Sequence, residues 1–341
     1  MQTRAPLDRR RFLAGLAVSS AGLALGACGR AASEPQGAAT TGVDESAVRG
    51  KTIRVATFTN SHAASPLYWE QFAPQGLTVE TTTLTSGTDM NQALERDQLD
   101  FALFGIVNGF VEAEQGLGSR VIAMAARKGA GLIVGADAAF ERVEDLRGER
   151  IAFKGPSMQS LVLNALLDEA GMDPAADVDL VPVEYNDMPA ALQRGDVAAF
   201  MGTEVNPSTS VASGAGRRLV DPYTTRIGEL NSCIWASPRM LDSEPDLCRA
   251  AVELQRSAAE HLSPGGDNDE AVWRDLIVDQ YGLPEDVFTE LLTNVGAVWE
   301  LDERWISEAK AGGRDMAALG ILQSEPDYDD LLRTEFMPDQ A

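Results

Sequence analysis

The stretch Arg150-Ile-Ala-Phe-Lys154, followed directly by Gly155-Pro-Ser157, joins a short apolar strand to a turn and a helix start. Serine is a favoured N-cap residue and glycine a common helix terminator, so the spacing predicts a helix from Ser157 to Gly171. The β-branched segment Thr52–Phe58 is likewise followed by polar residues and a short helix. This repetition of strand, turn and helix predicts an α/β fold whose sheets are rich in parallel strands.

Two sets of such units follow one another along the chain. Residues 51–135 carry the first set and residues 136–230 the second. The segment Leu230–Ala236 is predicted to be a strand that returns to the first lobe, and residues 231–341 otherwise hold C-terminal helices. We therefore expect two lobes, the second inserted into the first, with chain crossovers near 132–136 and 230–236.

The composition excludes several classes of protein. The 341 residues are enough for about two domains of ordinary size. Asp and Glu number 52 against 28 Lys and Arg, a formal charge of −24, and so acidic a surface repels nucleic acid. Two histidines and three cysteines leave almost no ligands for a zinc site, so we expect neither a metal nor a cofactor.

Residues 1–27 are predicted to be an export signal that is not part of the fold. Arg9 and Arg10 precede an uncharged apolar run from Phe12 to Leu25, which is short for a membrane-spanning helix. A basic segment followed by a short apolar segment is typical of export signals. The arginine pair indicates the twin-arginine (Tat) route.

The apolar run ends in Leu25-Gly-Ala-Cys28, which resembles a bacterial lipobox. In that pattern cleavage leaves Cys28 as the first residue, and lipid is attached to it. We therefore expect the mature protein to lie outside the cytoplasm, anchored to the cell membrane. An ordinary signal peptide with a chance cysteine is the alternative. Residues 28–50 are rich in Ala, Gly, Ser and Thr, which predicts a flexible tether.

Polar residues follow several of the predicted strands. In open α/β sheets, ligands bind beyond the carboxyl ends of the strands, where helix N-termini offer N–H groups suited to an acidic group. The candidate binding residues at these ends are Asn60, Ser61, His62, Ser86, Gly87, Thr88, Asn108, Lys154, Ser157, Gln159 and Ser160. Ser86 and Ser157 fit plain helix capping equally well. Lys154 also fits a solvated surface lysine, and His62 an exposed loop histidine.

Three longer stretches carry a family resemblance. They are Val143-Glu-Asp-Leu-Arg-Gly-Glu-Arg-Ile-Ala-Phe153, Leu166-Leu-Asp-Glu-Ala-Gly171 and Ala190-Ala-Leu-Gln-Arg-Gly-Asp196. In order and spacing they resemble the extracytoplasmic substrate-binding proteins of ABC importers, in the nitrate, sulfonate and taurine branch. The resemblance implies a type II periplasmic-binding-protein fold with a ligand cleft between the lobes. It also implies a small-molecule ligand, a permease and its ATPase as partners, and no catalysis.

The segment Gly202-Thr-Glu-Val-Asn-Pro207 stands where members of this family often carry a Trp-Glu-Pro-like stretch. Glu204 and Asn206 are expected to line the cleft, where a carboxylate would favour an amine-bearing, zwitterionic or neutral ligand. We prefer a small polar organic ligand with two ends. One end carries an acidic group, and the other, positive end faces Glu204. The alternative is that Glu204 faces solvent or caps the following helix. Tyr185, on a strand-end loop, either closes over the ligand or forms a turn.

Other functions stay open at this point. A lipid-anchored sensor, or a binder of a thiamine or riboflavin precursor, is compatible with the same features. Ser307-Glu-Ala-Lys310 matches the Ser-x-x-Lys of penicillin-interacting serine enzymes, but the Ser-Asp-Asn and Lys-Thr-Gly motifs that accompany it are lacking. Cys233 and Cys248 form either a disulfide, as in exported proteins, or two buried thiols.

Overall fold

The computed structural model describes residues 45–59 and 61–338. The predicted signal segment, Cys28 and the candidate residue Asn60 lie outside these ranges. The predicted tether ends before residue 50, because Glu45–Val48 is a short helix and Val48 is fully buried in the same hydrophobic cluster as Trp69. Within the described ranges, no helix is long and apolar enough to cross a membrane.

Strands and helices alternate through most of the described chain. The strands are β1 (Thr52–Phe58), β2 (Thr78–Leu84), β3 (Phe101–Gly105), β4 (Arg120–Lys128), β5 (Ala130–Gly135), β6 (Arg150–Phe153), β7 (Asp179–Pro182), β8 (Ala199–Thr203), β9 (Gly216–Arg218), β10 (Ser232–Ala236) and β11 (Val295–Ala297). The helices are α1 (Glu45–Val48), α2 (Trp69–Phe72), α3 (Gly87–Glu95), α4 (Ile106–Glu114), α5 (Met158–Glu169), α6 (Met188–Arg194), α7 (Asn206–Ala212), α8 (Pro238–Ser243), α9 (Pro245–Leu262), α10 (Glu270–Arg274), α11 (Glu285–Leu292), α12 (Glu303–Ala318) and α13 (Tyr328–Leu331). A π-helical segment, Asp275–Gln280, continues α10.

The first sheet has the strand order β11-β4-β10-β3-β1-β2. Strand β1 runs parallel to β2 and to β3, as expected from the strand–turn–helix pattern. Strand β10 is antiparallel to both β3 and β4, and β11 is antiparallel to β4. The sheet is therefore mixed, because the chain returns to it from the second lobe in the opposite direction. The sequence pattern also missed β11, a strand within the part predicted to be almost entirely helical.

The second sheet has the strand order β7-β6-β8-β5-β9. Strand β6 is parallel to β7 and β8, whereas β5 is antiparallel to β8 and β9. Because β5 belongs to this sheet, the chain leaves the first sheet at Gly129, and the expected boundary at residue 135 falls too late. Gly129 has a φ of +83°, a conformation that glycine adopts at little cost.

The two cysteines of the described chain lie on opposite faces of β10. Cys233 packs in the hydrophobic cluster that contains Trp235, whereas Cys248 on α9 packs in the cluster that contains Ile234. Both are free thiols and fully buried, which raises the pKa of Cys248 to about 12 and raises that of Cys233 as well. Since the sheet separates them, the second alternative, two buried thiols, applies.

Candidate functional site

A cleft of about 690 Å³ lies between the two sheets. The loops that follow β1, β2 and β3 and the segment that precedes β10 line it from the first sheet, and the loops that follow β6, β7 and β8 line it from the second. All but one of these loops follow the carboxyl end of a strand. The cleft is therefore where the strand–turn–helix pattern predicts a ligand.

Most of the predicted binding residues meet at this cleft. Those that line it are Ser61, His62, Ser86, Gly87, Thr88, Asn108, Lys154, Gln159, Tyr185, Glu204 and Asn206. Ser157 and Ser160 do not line it, and Asn60 lies outside the described residues. The residues come from both lobes, so a ligand bound here contacts both.

Ser157 and Ser160 form a capping box at the start of α5. The Ser157 hydroxyl accepts the Ser160 N–H at 3.1 Å and donates to the backbone carbonyl of Lys154. The Ser160 hydroxyl accepts the Ser157 N–H at 3.0 Å. Both side chains are thus occupied in holding the helix start, which is the capping alternative for Ser157.

Three helices of at least nine residues begin at the cleft wall. Ser86 is the N-cap of α3, Gly105 is the N-cap of α4, and Met158 is the first residue of α5. A Cβ atom on Gly87 would lie 3.2 Å from Cβ of Phe104, so glycine lets α3 start close against β3. First-turn N–H groups and the positive end of the helix dipole both favour an acidic ligand group.

Glu204 lines the cleft but its carboxylate is already bound within the protein. Its side chain is fully buried, and Oε1 accepts from Arg218 at 2.8 Å and from Asn294 at 2.6 Å. Oε2 accepts the Ser208 N–H at 3.2 Å in the first turn of α7. This matches the capping alternative, and it leaves Glu204 without a free negative charge for a cationic ligand group.

Lys154 is also paired. Its ammonium bonds to the Glu184 carboxylate at the cleft edge, where both side chains are exposed. The ammonium lies 5.5 Å from the centre of the Tyr185 ring, and the Tyr185 hydroxyl donates to Gln159 Oε1 at 2.9 Å. Burial raises the pKa of Tyr185 to about 12, so the phenol stays neutral and Tyr185 forms part of the wall.

His62 is buried and is not an exposed loop histidine. Only 3% of its surface is accessible, and its Nε2 atom lies 3.3 Å from Nδ2 of Asn231. Burial lowers the pKa of His62 from 6.5 to about 4. The imidazole is therefore neutral at physiological pH, and the cleft presents neutral donors with each charged side chain already paired.

Sequence reasoning missed several lining residues, of which Asn231 and Ser232 matter most. They begin the returning strand, and Ser232 pairs with Gly105 across the antiparallel β3–β10 ladder. The amino end of β10 therefore lies beside the carboxyl end of β3. The signal for these two residues is the direction of the returning strand, because an antiparallel β10 brings its amino end to the strand edge that holds the cleft.

The described residues contain no group of three or more His, Cys, Asp or Glu side chains that could hold a metal ion. The cleft lining contains no cysteine either. Its polar groups are amides, hydroxyls, backbone N–H groups and the neutral imidazole of His62, together with the paired side chains of Lys154, Glu184 and Glu204. These groups suit the binding of a small polar molecule through hydrogen bonds.

The solved structures that resemble this chain include those of the following three proteins. The periplasmic aliphatic sulphonate binding protein SsuA from Escherichia coli is 16% identical, with a TM-score of 0.70 over 85% of this chain and 93% of that one. The alkanesulfonate-binding protein SsuA from Xanthomonas axonopodis pv. citri, bound to MOPS, is 19% identical, with a TM-score of 0.69 over 83% and 98%. The desulfurization enzyme DszB is 17% identical, with a TM-score of 0.64 over 84% and 97%.

These similarities identify the fold. The predicted α/β periplasmic-binding-protein fold is confirmed, and it is shared by binding proteins and by an enzyme. Comparison with curated protein sequences gives no significant match. A sequence model of the NMT1-like family matches residues 51–274, about two thirds of the chain. The chain belongs to the NMT1-like family.

Proposed function

We propose that this protein is the extracytoplasmic substrate-binding component of an ABC importer and captures a small organic acid, such as a sulfonate, in the interlobe cleft. The observation that carries the proposal is the convergence of the α3, α4 and α5 N-termini on a cleft lined from both lobes. Lipid on Cys28 would hold it at the membrane, where a permease and its ATPase receive the ligand.

The charge arrangement supports an acid bound through neutral donors. Glu204 is neutralised by Arg218, and Lys154 by Glu184, so neither a free carboxylate nor a free ammonium dominates the cleft. An ionised acidic group is then best held by helix N-termini and amide donors. A sulfonate fits this requirement because its oxygens accept hydrogen bonds only. The E. coli and Xanthomonas proteins named above, with the same fold, bind such acids.

An enzyme is the second candidate, because DszB has the same fold. Among the described residues, the lining of this cleft holds no thiol, and its one histidine is buried and neutral. These features favour binding over turnover. Incubating the purified protein with a bound acid and analysing the acid by mass spectrometry separates the two, since an importer component returns it unchanged.

The proposal is tested by thermal unfolding and calorimetry with a panel of alkanesulfonates, taurine, MOPS, nitrate and aliphatic carboxylates. A ligand at 100 times its Kd stabilises the folded state by about 2.7 kcal/mol. We expect at least one sulfonate to raise the unfolding temperature, and Asn108→Leu in the cleft to abolish the effect. Asn164→Leu, on α5 outside the cleft lining, is the matched control and retains it.

Two results would contradict the proposal. One is stabilisation by no acid in the panel, and the other is chemical conversion of the bound acid. Delivery to a permease is tested separately in cells, where deleting the gene for this chain should abolish uptake of the ligand found in vitro. Uptake at the normal rate in the deletion strain would contradict a role in import. The protein would then be better explained as a ligand-binding sensor.

A further inference from the structure

Asn294 of the first lobe makes hydrogen bonds with three segments of the second lobe. It directly precedes β11, which pairs with β4 in the first sheet. Its Nδ2 atom donates to the carbonyl of Ala130 at 3.0 Å and to Oε1 of Glu204 at 2.6 Å. Its Oδ1 atom accepts from the Tyr223 hydroxyl at 2.6 Å. Ala130 begins β5, Glu204 follows β8 and Tyr223 lies between β9 and β10, so one side chain joins three separate parts of the second lobe.

The orientation of the Asn294 amide is fixed by these partners. A carbonyl and an ionised carboxylate can only accept, so the amide nitrogen must face Ala130 and Glu204, and both of its hydrogens are used. The Tyr223 hydroxyl has one hydrogen, and Oδ1 of Asn294 is a nearer acceptor than the Ala130 carbonyl, at 2.6 Å against 3.1 Å. The Tyr223 oxygen in turn accepts the Ala130 N–H at 2.9 Å. Burial raises the pKa of Tyr223, so the phenol stays a neutral donor.

Both chain crossovers lie beside this amide. The Gly129 N–H donates to the backbone carbonyl of Asn294 at 2.9 Å, at the point where the chain leaves the first sheet. The Lys128 N–H donates to the Glu229 carbonyl at 3.1 Å, which joins the first crossover to the second. Gly129 has a φ of +83°, and a glycine absorbs changes in backbone angle at little cost. Lobe rotation is therefore expected to centre here, where the groups nearest the axis move least.

We propose that Asn294 is the pivot of lobe closure, a positioning residue whose side chain keeps its hydrogen bonds in the open and the closed protein and restricts the lobes to one axis of rotation. The inference rests on the proposed function in so far as closure serves ligand capture. Asn294 is 6% exposed and is not among the described residues that line the cleft, so it acts through Glu204, which is.

Other contacts between the lobes are helix against helix. Helices α11 and α12 of the C-terminal part contact α7 and α5 of the second lobe. Packed helices can slide past each other by small steps during domain movements. The hydrogen bonds of a buried amide are directional and are lost when their atoms separate. The axis of rotation is therefore assigned to Asn294, and the helix contacts follow the movement.

The pivot is tested by pulsed electron paramagnetic resonance, which measures the distribution of distances between two spin labels. Thr82→Cys on β2 and Ala190→Cys on α6 place the labels at exposed positions of the first and the second lobe. All samples also carry Cys28→Ala, and the free thiols of Cys233 and Cys248 are buried, so the labels attach to the introduced cysteines. We expect a narrow distance distribution in this ligand-free reference protein.

Asn294→Ala should make the distribution about twofold broader, because more lobe orientations become accessible. Tyr223→Phe removes one hydrogen bond of the three and should broaden it less. Asn91→Ala is the matched control, since this buried asparagine bonds to Glu112 and, at 2.6 Å, to Ser119, all within the first lobe, and the distribution should stay narrow. An unchanged distribution in Asn294→Ala would overturn the proposal, and so would equal broadening in Asn91→Ala.

The consequence for binding is measured by calorimetry with MOPS and methanesulfonate. Asn294→Ala should lower the affinity about tenfold, because a smaller fraction of the free protein has the lobe orientation that binds. Saturating ligand should return its distance distribution to the width of the reference protein. An unchanged affinity in Asn294→Ala would contradict the coupling of this pivot to binding. If the unsubstituted protein binds neither sulfonate, the sulfonate class of the proposed function is wrong, and the ligand-free distance distributions still decide the role of Asn294.

Discussion

The guanidinium of Arg218 lies 2.8 Å from the carboxylate of Glu204, whose side chain is completely buried at the cleft. Both residues belong to the second lobe: Glu204 directly follows β8, and Arg218 is the last residue of β9, with β5 between the two strands. Asn294, which precedes β11 of the first sheet, donates to the same carboxylate. The charge of Glu204 therefore links the two lobes and is not available to a ligand.

Glu204→Gln should lower the free energy of unfolding by about 1–3 kcal/mol. Breaking a fully buried ion pair costs about 3–5 kcal/mol, and the effect is smaller here because Arg218 is 27% exposed. Urea unfolding of the ligand-free protein measures it. Glu144→Gln is the matched control, since Glu144 lies 3.9 Å from Arg142 in an exposed pair and should change stability by less than about 0.5 kcal/mol. Unchanged stability with lost affinity would assign Glu204 to the ligand.

The two N-cap serines should separate folding from binding. Ser86→Ala and Ser157→Ala each remove a cap, which costs about 1 kcal/mol of stability. Ser86 lines the cleft and Ser157 does not, so only Ser86→Ala should also lower the affinity for the ligand. Unfolding curves and calorimetry on both variants check this. A tenfold loss of affinity in Ser157→Ala would place that hydroxyl in the binding site after all.

Lys154→Ala should change ligand affinity by less than about threefold. Its ammonium is exposed and already paired with Glu184, and exposed pairs contribute about 0–1 kcal/mol. Calorimetry at low and physiological salt checks the expectation. A loss of tenfold or more would identify Lys154 as the counter-charge of the ligand and would favour a simple anion.

Acid should destabilise the protein through His62. Because burial lowers the pKa of His62 to about 4, the unfolded chain binds more protons than the folded protein between pH 6.5 and 4. The free energy of unfolding therefore keeps its full value, as far as His62 is concerned, above pH 6.5 and decreases as the pH falls toward 4. The decrease is on the order of 3 kcal/mol.

Urea unfolding from pH 7 to pH 4 compares this protein with two variants. In His62→Gln, the difference in stability from the unsubstituted protein should shrink as the pH falls. In His261→Gln, which removes the less buried histidine, most of the acid dependence should remain. The same pH profile in the His62→Gln protein as in the unsubstituted one would contradict a buried neutral His62.

Cys28→Ala should release the protein from the membrane fraction. The lipobox at Leu25–Cys28 predicts lipid on the Cys28 thiol and amine. Fractionation with immunoblotting measures the distribution. Replacing Arg9 and Arg10 by lysine should block export by the twin-arginine route, and normal export of that variant would remove the Tat prediction while leaving the lipid prediction intact.

Local patterns were enough to predict the α/β class and most helix starts. Ser157 predicted a helix cap because the capping hydrogen bonds of its hydroxyl reach Lys154 and Ser160, within three residues. The strand ends that carry Ser86 and Asn108 were also visible, because strand and helix periods differ over a few residues. The two successive sets of strand–helix units also predicted the two lobes, and the family resemblance added a ligand cleft between them.

Only the tertiary structure decided what the cleft residues do. His62 and Asn231 are 169 residues apart in the chain, and Glu204 and Asn294 are 90 apart, so no local pattern records either contact. The sequence is compatible with a disulfide between Cys233 and Cys248. In the structure the two cysteines lie in different hydrophobic clusters, separated by the sheet that contains β10. The sequence by itself determined most of the secondary structure, apart from β11, and the strand edge at which we propose that a ligand binds, because these depend on neighbours along the chain. The charge and protonation of the cleft groups depend on burial and on hydrogen-bond partners that are distant in the chain. These partners come together only when the two lobes have folded and packed against each other.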